Sequence, residues 1–258
     1  MTPRWAAELA FAEHLADVAD AISVHHFRRS DTAVRVKADG TPVTEADEAI
    51  ERALRSEIAA AYPEHGVLGE EEGSTGEGPA RWIIDPIDGT KSFSWGIPVW
   101  ATLIALEVEA EIVCGVVSAP ALGDRWTAVR AAGARRNGEL IGVSDVGSLD
   151  RARLGFTSAT SGDAGFRESF QRLLRSVAHN RGLGDFYGHV LVASGSLDVM
   201  IEPHLSPWDI GPLIVIVEEA GGRLTDFSGR AQIYGGSCLT TNGSVHDEAL
   251  ALLSGTGL

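Results

Sequence analysis

Cysteine is scarce in this chain: Cys114 and Cys238 are the only two among 258 residues. Both have apolar or small neighbours, which reads as buried free thiols in a reducing compartment. A single Cys114–Cys238 bridge is the alternative. Cysteines and histidines also lack the spacing of a zinc site. Long apolar runs are missing too. The stretch "MTPRWAAELAFAEHLADVADAISVHHF" carries acidic residues throughout. It therefore has neither the apolar core of a signal peptide nor a membrane span, so a cytoplasmic protein without a membrane partner is expected. Cationic side chains are outnumbered, with 21 Lys and Arg against 36 Asp and Glu, for a net charge of -15. So acidic a chain argues against general binding of nucleic acid. It would also repel anionic substrates. An enzyme for such substrates needs a local inversion of sign, for which bound divalent cations are the natural source. No internal repeat, low-complexity segment or Pro/Ser-rich linker is present.

What is present is an ordinary globular composition, 44% hydrophobic and 22% charged. The length allows one large domain or two closely packed halves with a substantial core. The pattern predicts a first helix over 3–29, with Thr2 as N-cap and Pro3 at the first helical position. A polar loop or hairpin follows. A second helix is expected over 44–61, where Thr44 and Asp47 fit a capping box. "HGVLGEEEG" reads as a strand entering an acidic loop, and "RWIID" as the next strand. "VWATLIALEV", "EIVCGVVSAP", "RWTAVRA" and "GARRNGELI" then suggest an antiparallel sheet. Beyond residue 145 strands and helices alternate: "ARLGFTS", "DAGFRESFQRLLRSVA", "FYGHVLVASGS", "DVMIE", "SPWDIGPLIVIVEEAGG", "RLTDF" and "SVHDEALALLS". An α+β half over 1–145 and an α/β half over 146–258, sharing an interface, are expected.

Acidic residues cluster at the ends of these elements: Glu70 to Glu72, Asp85 with Asp88, Asp209 and Asp47. Oxygen-only donors select hard cations, Mg²⁺ first and Mn²⁺ as its substitute. Each cluster has a plainer reading. Asp85-Pro86 and Asp88-Gly89 are good turn dipeptides. Glu70 to Glu72 suit a solvated loop. Asp47 and Asp209 each lie three residues after a Thr or Ser and suit a capping box.

Taken together, "DGTPVTEAD" at 39–47, "GEE" at 69–71, "WIIDPIDGTKSF" at 82–93 and "PWDIGPLIVIVEEAGG" at 207–222 resemble the inositol monophosphatase superfamily of Mg²⁺-dependent phosphatases. The resemblance implies a layered αβαβα sandwich, a small phosphate monoester as substrate and a homodimer. By analogy Glu70, Asp85 and the Ile87 carbonyl hold one metal, while Asp85, Asp88 and Asp209 hold a second. A third would sit near Glu70. Two to three Mg²⁺ would roughly balance these carboxylates and the phosphate. Asp88, Gly89 and Thr90 form the implied phosphate site. Thr90 and Asp47, with Glu70, are the implied catalytic set that orients a metal-activated water. Lys91 is read as a supporting or surface charge.

The leaving alcohol must be recognised by the second half. Asp185 after Gly184, and the spacing of "EPHLSPWD" at 202–209, resemble the histidinol-phosphate phosphatases of the same superfamily. Histidinol phosphate carries an ammonium and an imidazole. Asp185 and Glu202 are expected to pair with those cationic groups, and His189, one helical turn beyond Asp185, to contact it or line the pocket. Asp185 as a simple N-cap is the alternative. The expected activity is hydrolysis of L-histidinol phosphate to L-histidinol in histidine biosynthesis, with inositol monophosphate as the rival substrate. A catalytically silent metal- or phosphate-binding regulator is the rival of another class.

Overall fold

The computed structural model describes residues 3–27, 34–36 and 42–254. Helix α1 (Ala6–His26) starts later than its pattern suggests: Trp5 occupies the cap, and Pro3 stands outside the helix with its carbonyl accepting the Ala6 N–H at 3.2 Å. Thr2, the expected cap, lies outside the described residues, as do 28–33 and 37–41 of the polar segment. The described parts of that segment, β1 (Val34–Val36) and β2 (Pro42–Thr44), pair as an antiparallel hairpin. Helix α2 (Glu45–Ala61) begins at Thr44 with the expected capping box.

The first sheet comprises β3 (Gly66–Gly69), β4 (Gly73–Thr75), β5 (Ala80–Asp88), β6 (Ala101–Val108), β7 (Glu111–Ala119), β8 (Asp124–Val129), β9 (Ala134–Arg136) and β10 (Glu139–Leu140). Its order is β10-β9-β8-β7-β6-β5-β3-β4. The runs β6 to β10 pair antiparallel as expected, while β3 and β5 run parallel because β4, antiparallel to β3, turns the chain back between them. The short helix α3 (Thr90–Ser94) follows β5.

The second sheet comprises β11 (Arg153–Phe156), β12 (His179–Gly182), β13 (Val199–Glu202), β14 (Arg223–Thr225) and β15 (Cys238–Thr241), in the order β12-β11-β13-β15-β14. Helices α4 (Ala164–Ser176), α5 (Asp185–Ala193), α6 (Pro207–Glu219) and α7 (His246–Leu253) intervene or follow. The sequence pattern misses β4, β12 and β15. β12 is "HNRG", exposed along its whole length at a sheet edge, so it has no apolar alternation to read. β15 is buried and central, but its "CLTT" is flanked by Gly, Ser and Asn, which read as loop.

The layers stack as α1/α2, first sheet, α5/α6, second sheet, α4/α7. This is the αβαβα sandwich. Every residue of α6 from 210 to 217 is buried, as a helix enclosed between two sheets must be. One core cluster joins Ile83, Leu103 and Val117 of the first sheet to Val190, Ile214 and Val215 of the middle helices. A second joins Leu15, Ile50 and Leu54 of α1 and α2 to Trp82, Ile84 and Ile87. Both cysteines are free and buried.

Candidate active site

β5 does not end at Asp85; it continues to Asp88. Asp85 pairs with Leu103 and Asp88 with Ala101, so three steps along β5 match two along β6. The extra residue is a β-bulge. Pro86 sits within it, where its missing N–H removes no ladder bond. The Thr102 hydroxyl donates to the Pro86 carbonyl at 2.8 Å and pins the bend. The consequence is geometric. In a regular strand, residues three apart face opposite sides of the sheet. The bulge turns Asp88 to the same side as Asp85. That side is the α6 side, because Ile83 packs with α6, while Ile84 and Ile87 pack with α1 and α2.

Other carboxylates arrive from neighbouring elements. β3 runs parallel to β5 with Gly69 opposite Ile84, so Glu70, one residue on, is delivered beside Asp85. Asp209 is the third residue of α6 and reaches back to accept the Ser206 N–H at 2.6 Å. Asp47 does the same in α2, its Oδ2 accepting the Thr44 N–H at 2.8 Å and hydroxyl at 2.5 Å. Both capping boxes therefore form. Asp85, Asp88 and Asp209 nevertheless bring oxygens within 4.8 Å of one another. The second oxygen of Asp47 and Oδ1 of Asp85 are buried without a hydrogen-bond partner among the described residues.

The electrostatics follow. Asp85 is pushed well above the carboxylate range by burial and then by the charges of Glu70, Asp88 and Asp209. Asp88 is pushed the same way by burial and by Asp185 and Asp209. Burial and neighbouring acids raise Asp209 to about 7, against its hydrogen bond from Ser206. Burial raises Asp47 to about 6. A buried all-oxygen cluster that is mutually repulsive and holds unpaired oxygens suits a hard divalent cation. Glu70, Asp85, Asp88, Asp209 and the Ile87 carbonyl fit that group.

These residues line one side of a cavity of about 400 Å³, together with Gly89, Thr90, Lys91 and Trp95. Gly89 has φ +82°, and a Cβ there would stand 3.0 Å from the Val99 carbonyl oxygen, so only glycine suits the turn into α3. The Thr90 hydroxyl donates to the Ile87 carbonyl at 3.0 Å. A larger cavity, about 540 Å³, opens near Arg81, Glu107 and Tyr234 but touches none of the clustered acids.

The part of the wall built by the start of α5, beside Asp88 and Gly89, differs from the sequence expectation. Asp185 lines the cavity and is not an N-cap. Gly184 holds the cap position, Asp185 has φ +55°, and the Phe186 N–H is taken by Asp88 Oδ2 at 2.5 Å. Burial and Glu202 raise the Asp185 carboxyl to about 6. Glu202 and His189, expected as substrate contacts, stand behind this wall. His189 is fully buried, with Nδ1 2.8 Å from the Thr240 hydroxyl and Nε2 2.9 Å from Glu202 Oε2. The other Glu202 oxygen accepts from the Thr157 hydroxyl. Both side chains are occupied by protein partners because α5 lies flat against β13 and β15, turning residue 189 into the core.

Sequence reasoning missed Trp95, Thr157 and Ser158 on the cavity wall. Trp95 is 72% exposed at the end of α3. Thr157 and Ser158 directly follow β11. Placement at the end of a strand was the available signal for those two; an indole left in water was visible only in the fold.

The chain matches the sequence profile of the Inositol monophosphatase family over residues 5–255. It is 43% identical over 262 residues to a histidinol-phosphatase of Streptomyces coelicolor, covering 98% of each chain. A histidinol-phosphatase of Mycobacterium tuberculosis is 44% identical over 254 residues, covering 96% of this chain and 98% of the relative. Among solved structures, an inositol monophosphatase from Zymomonas mobilis superposes with a TM-score of 0.88 at 30% identity, over 97% of this chain and 99% of that one.

Proposed function

The chain belongs to the inositol monophosphatase family and is an enzyme of the phosphatase class, and on that footing we propose that it hydrolyses L-histidinol phosphate to L-histidinol and phosphate. The observation that carries the substrate is Asp185, a carboxylate freed from capping that lines the cavity beside Asp88 and Gly89. Histidinol phosphate carries an ammonium on the carbon next to its phosphate-bearing carbon and an imidazole on the carbon after that. Asp185 would pair with the ammonium, and the exposed Trp95 offers a flat face to the imidazole. A neutral polyol would gain less from either. The histidinol-phosphatase relatives support this choice over inositol monophosphate.

The proposed cofactor is Mg²⁺, with Mn²⁺ as substitute, held by Glu70, Asp85, Asp88, Asp209 and the Ile87 carbonyl. When bound, it supplies the positive charge that the acidic chain lacks and makes water a better nucleophile. The chain's own groups do the rest. Backbone N–H groups at Gly89 and Thr90 meet the phosphate oxygens. Glu70, on the cavity wall, takes a proton from the attacking water. Asp47, buried outside the cavity lining, acts only through its charge beside Glu70 and Asp85. A water oxygen bonds to phosphorus, the ester P–O bond breaks, and the histidinol oxygen takes a proton from solvent water as it leaves. The proposed setting is the cytoplasm, as a homodimer without nucleic-acid or membrane partners. The net charge of -15 supports the absence of nucleic acid, and no helix among the described residues is long and apolar enough to cross a membrane.

The test is phosphate release from histidinol phosphate, inositol 1-phosphate and fructose 1,6-bisphosphate, with Mg²⁺ and with EDTA. Histidinol phosphate is expected to lead in kcat/KM by about tenfold or more, as one charge-assisted contact allows. Asp185→Asn should erase that lead and leave inositol 1-phosphate unaffected. Inositol 1-phosphate as the better substrate would refute the assignment. No release from any ester would favour a silent binding protein.

A further inference from the structure

Glu51, on α2, is fully buried. Its carboxylate receives four donors. Oε2 accepts the Glu71 N–H at 2.8 Å, and Oε1 accepts the Glu72 N–H at 2.9 Å. Arg55, one turn along the helix, donates Nε and Nη2 to Oε1 at 2.9 and 2.8 Å. Arg55 also reaches the Gly73 carbonyl at 2.6 Å and the Thr75 hydroxyl at 2.8 Å. The pair thus grips the whole turn between β3 and β4. On the near side of that turn the backbone passes directly over the carboxylate: a Cβ on Gly69 would stand 2.3 Å from Glu51 Oε1. Glu70 is held between a residue pressed onto Glu51 and a residue hydrogen-bonded to it.

The turn carries three successive carboxylates, Glu70 to Glu72, whose mutual repulsion favours spreading towards water. From this geometry we infer that Glu51 is a positioning residue for the metal: it sets the backbone of residues 69–72 so that the Glu70 carboxylate stands beside Asp85 and Asp209. Glu51 acts through main-chain N–H groups and needs no contact with the ion. Outer groups that orient metal ligands typically change metal affinity by about 10–100-fold when removed. The inference rests on the reading of Glu70 as a metal ligand.

The experiment titrates Mn²⁺ into the purified full chain and follows free Mn²⁺ by electron paramagnetic resonance. Three variants are compared with the parent: Glu51→Gln, Gly69→Ala and Glu70→Gln. Glu51→Gln keeps the shape but loses one acceptor. Gly69→Ala displaces the flexible end of Glu51 from the other side, at a residue whose φ is not positive. It carries the test alone if Glu51→Gln does not fold. Expected is about tenfold weaker Mn²⁺ binding in both. The double variant should be no weaker than either single, since both remove one interaction. The Mg²⁺ requirement for phosphate release should rise by more than kcat at saturating Mg²⁺ falls. A merely structural role would lower the melting temperature of the metal-free protein and leave Mn²⁺ affinity at the parent value; that outcome overturns the inference. If Glu70→Gln weakens Mn²⁺ binding and neither other variant does, the inference about Glu51 fails alone. If Glu70→Gln binds Mn²⁺ like the parent, the reading of Glu70 falls and takes the inference with it.

Discussion

A carboxylate oxygen sealed from water without a donor is destabilising. Among the described residues, two such oxygens lie in one acidic cluster, Oδ1 of Asp47 and Oδ1 of Asp85. In Asp85 the cost is increased by Glu70, Asp88 and Asp209. Such a group is kept for what it binds. Asp85→Asn is therefore expected to act in opposite directions on activity and stability. Mg²⁺-dependent phosphate release should fall by about a thousandfold or more, the order of a lost charge-stabilising contact in the transition state. The metal-free protein should melt higher, because one member of a repulsive cluster has become neutral. Phosphate assays and thermal melts in EDTA check both halves. Undiminished turnover would remove Asp85 from the site.

At the level of elements, the β5 bulge converts a three-residue spacing into a same-side pair, and it is held by one hydroxyl. Thr102 is fully buried, and its bond to the Pro86 carbonyl crosses the strand pair. Thr102→Val keeps the volume and strands that carbonyl. The expected cost is about 1–3 kcal/mol, read as a lower urea midpoint. Metal affinity should weaken with it, since Asp85 and Asp88 flank the bend; unchanged affinity would show that the bulge holds without Thr102. The helix ends reuse residues in the same economical way. Asp47 and Asp209 each spend an oxygen on a cap, and Asp88 caps α5 through the Phe186 N–H. The turn reading and the ligand reading of these motifs were never exclusive. A carboxylate has two oxygens: Asp88 and Asp209 each give one to the fold and still line the cavity, while Asp47 stays buried outside the cavity lining.

For the whole molecule, the carboxylates raised by burial make stability depend on pH. Asp209 is raised to about 7 in the fold from 3.8 as an unperturbed group, and Asp85 and Asp88 are raised in the same direction. Between those values the folded chain binds more protons than the unfolded chain. Stability from these groups is present at low pH and is lost as pH rises through the folded values. His246, lowered to about 4 by burial, works the other way, but only up to its ordinary value of 6.5. The metal-free protein should therefore melt lower at about pH 8 than at about pH 6.5. Mg²⁺ should reduce that difference, and Asp209→Asn should lessen the slope in EDTA. What remains is assigned to His189, which, against its burial, Cys238 and Glu202 raise to about 10, so that it too loses stability as pH rises above 6.5. A melting temperature independent of pH in EDTA over that range would contradict the account.

Much of this molecule could be read from the residues alone. The apolar period of α2 and the continuous apolar runs of α6, β6 and β7 are strong signals because α2 packs one face on the sheet and the others are covered on both sides. The motif residues from Glu70 to Asp209 stand at element ends, where local chemistry marks them. Strand β12 escaped because an exposed edge carries no hydrophobic pattern, and β15 because its flanks look like a loop. The sequence alone determined which donors are available, all oxygen, and how they are spaced along the chain. Only the tertiary structure decided which of them meet. The bulge in β5 turned Asp88 towards α6, and parallel pairing brought Glu70 beside Asp85. The flat seating of α5 sent His189 into the core and left Asp185 in the cavity. Glu51, silent in the sequence, became visible only when the turn bearing Glu70 closed over it. Spacing along a chain is local, whereas convergence on a point depends on register, and register is set by packing between segments far apart in sequence.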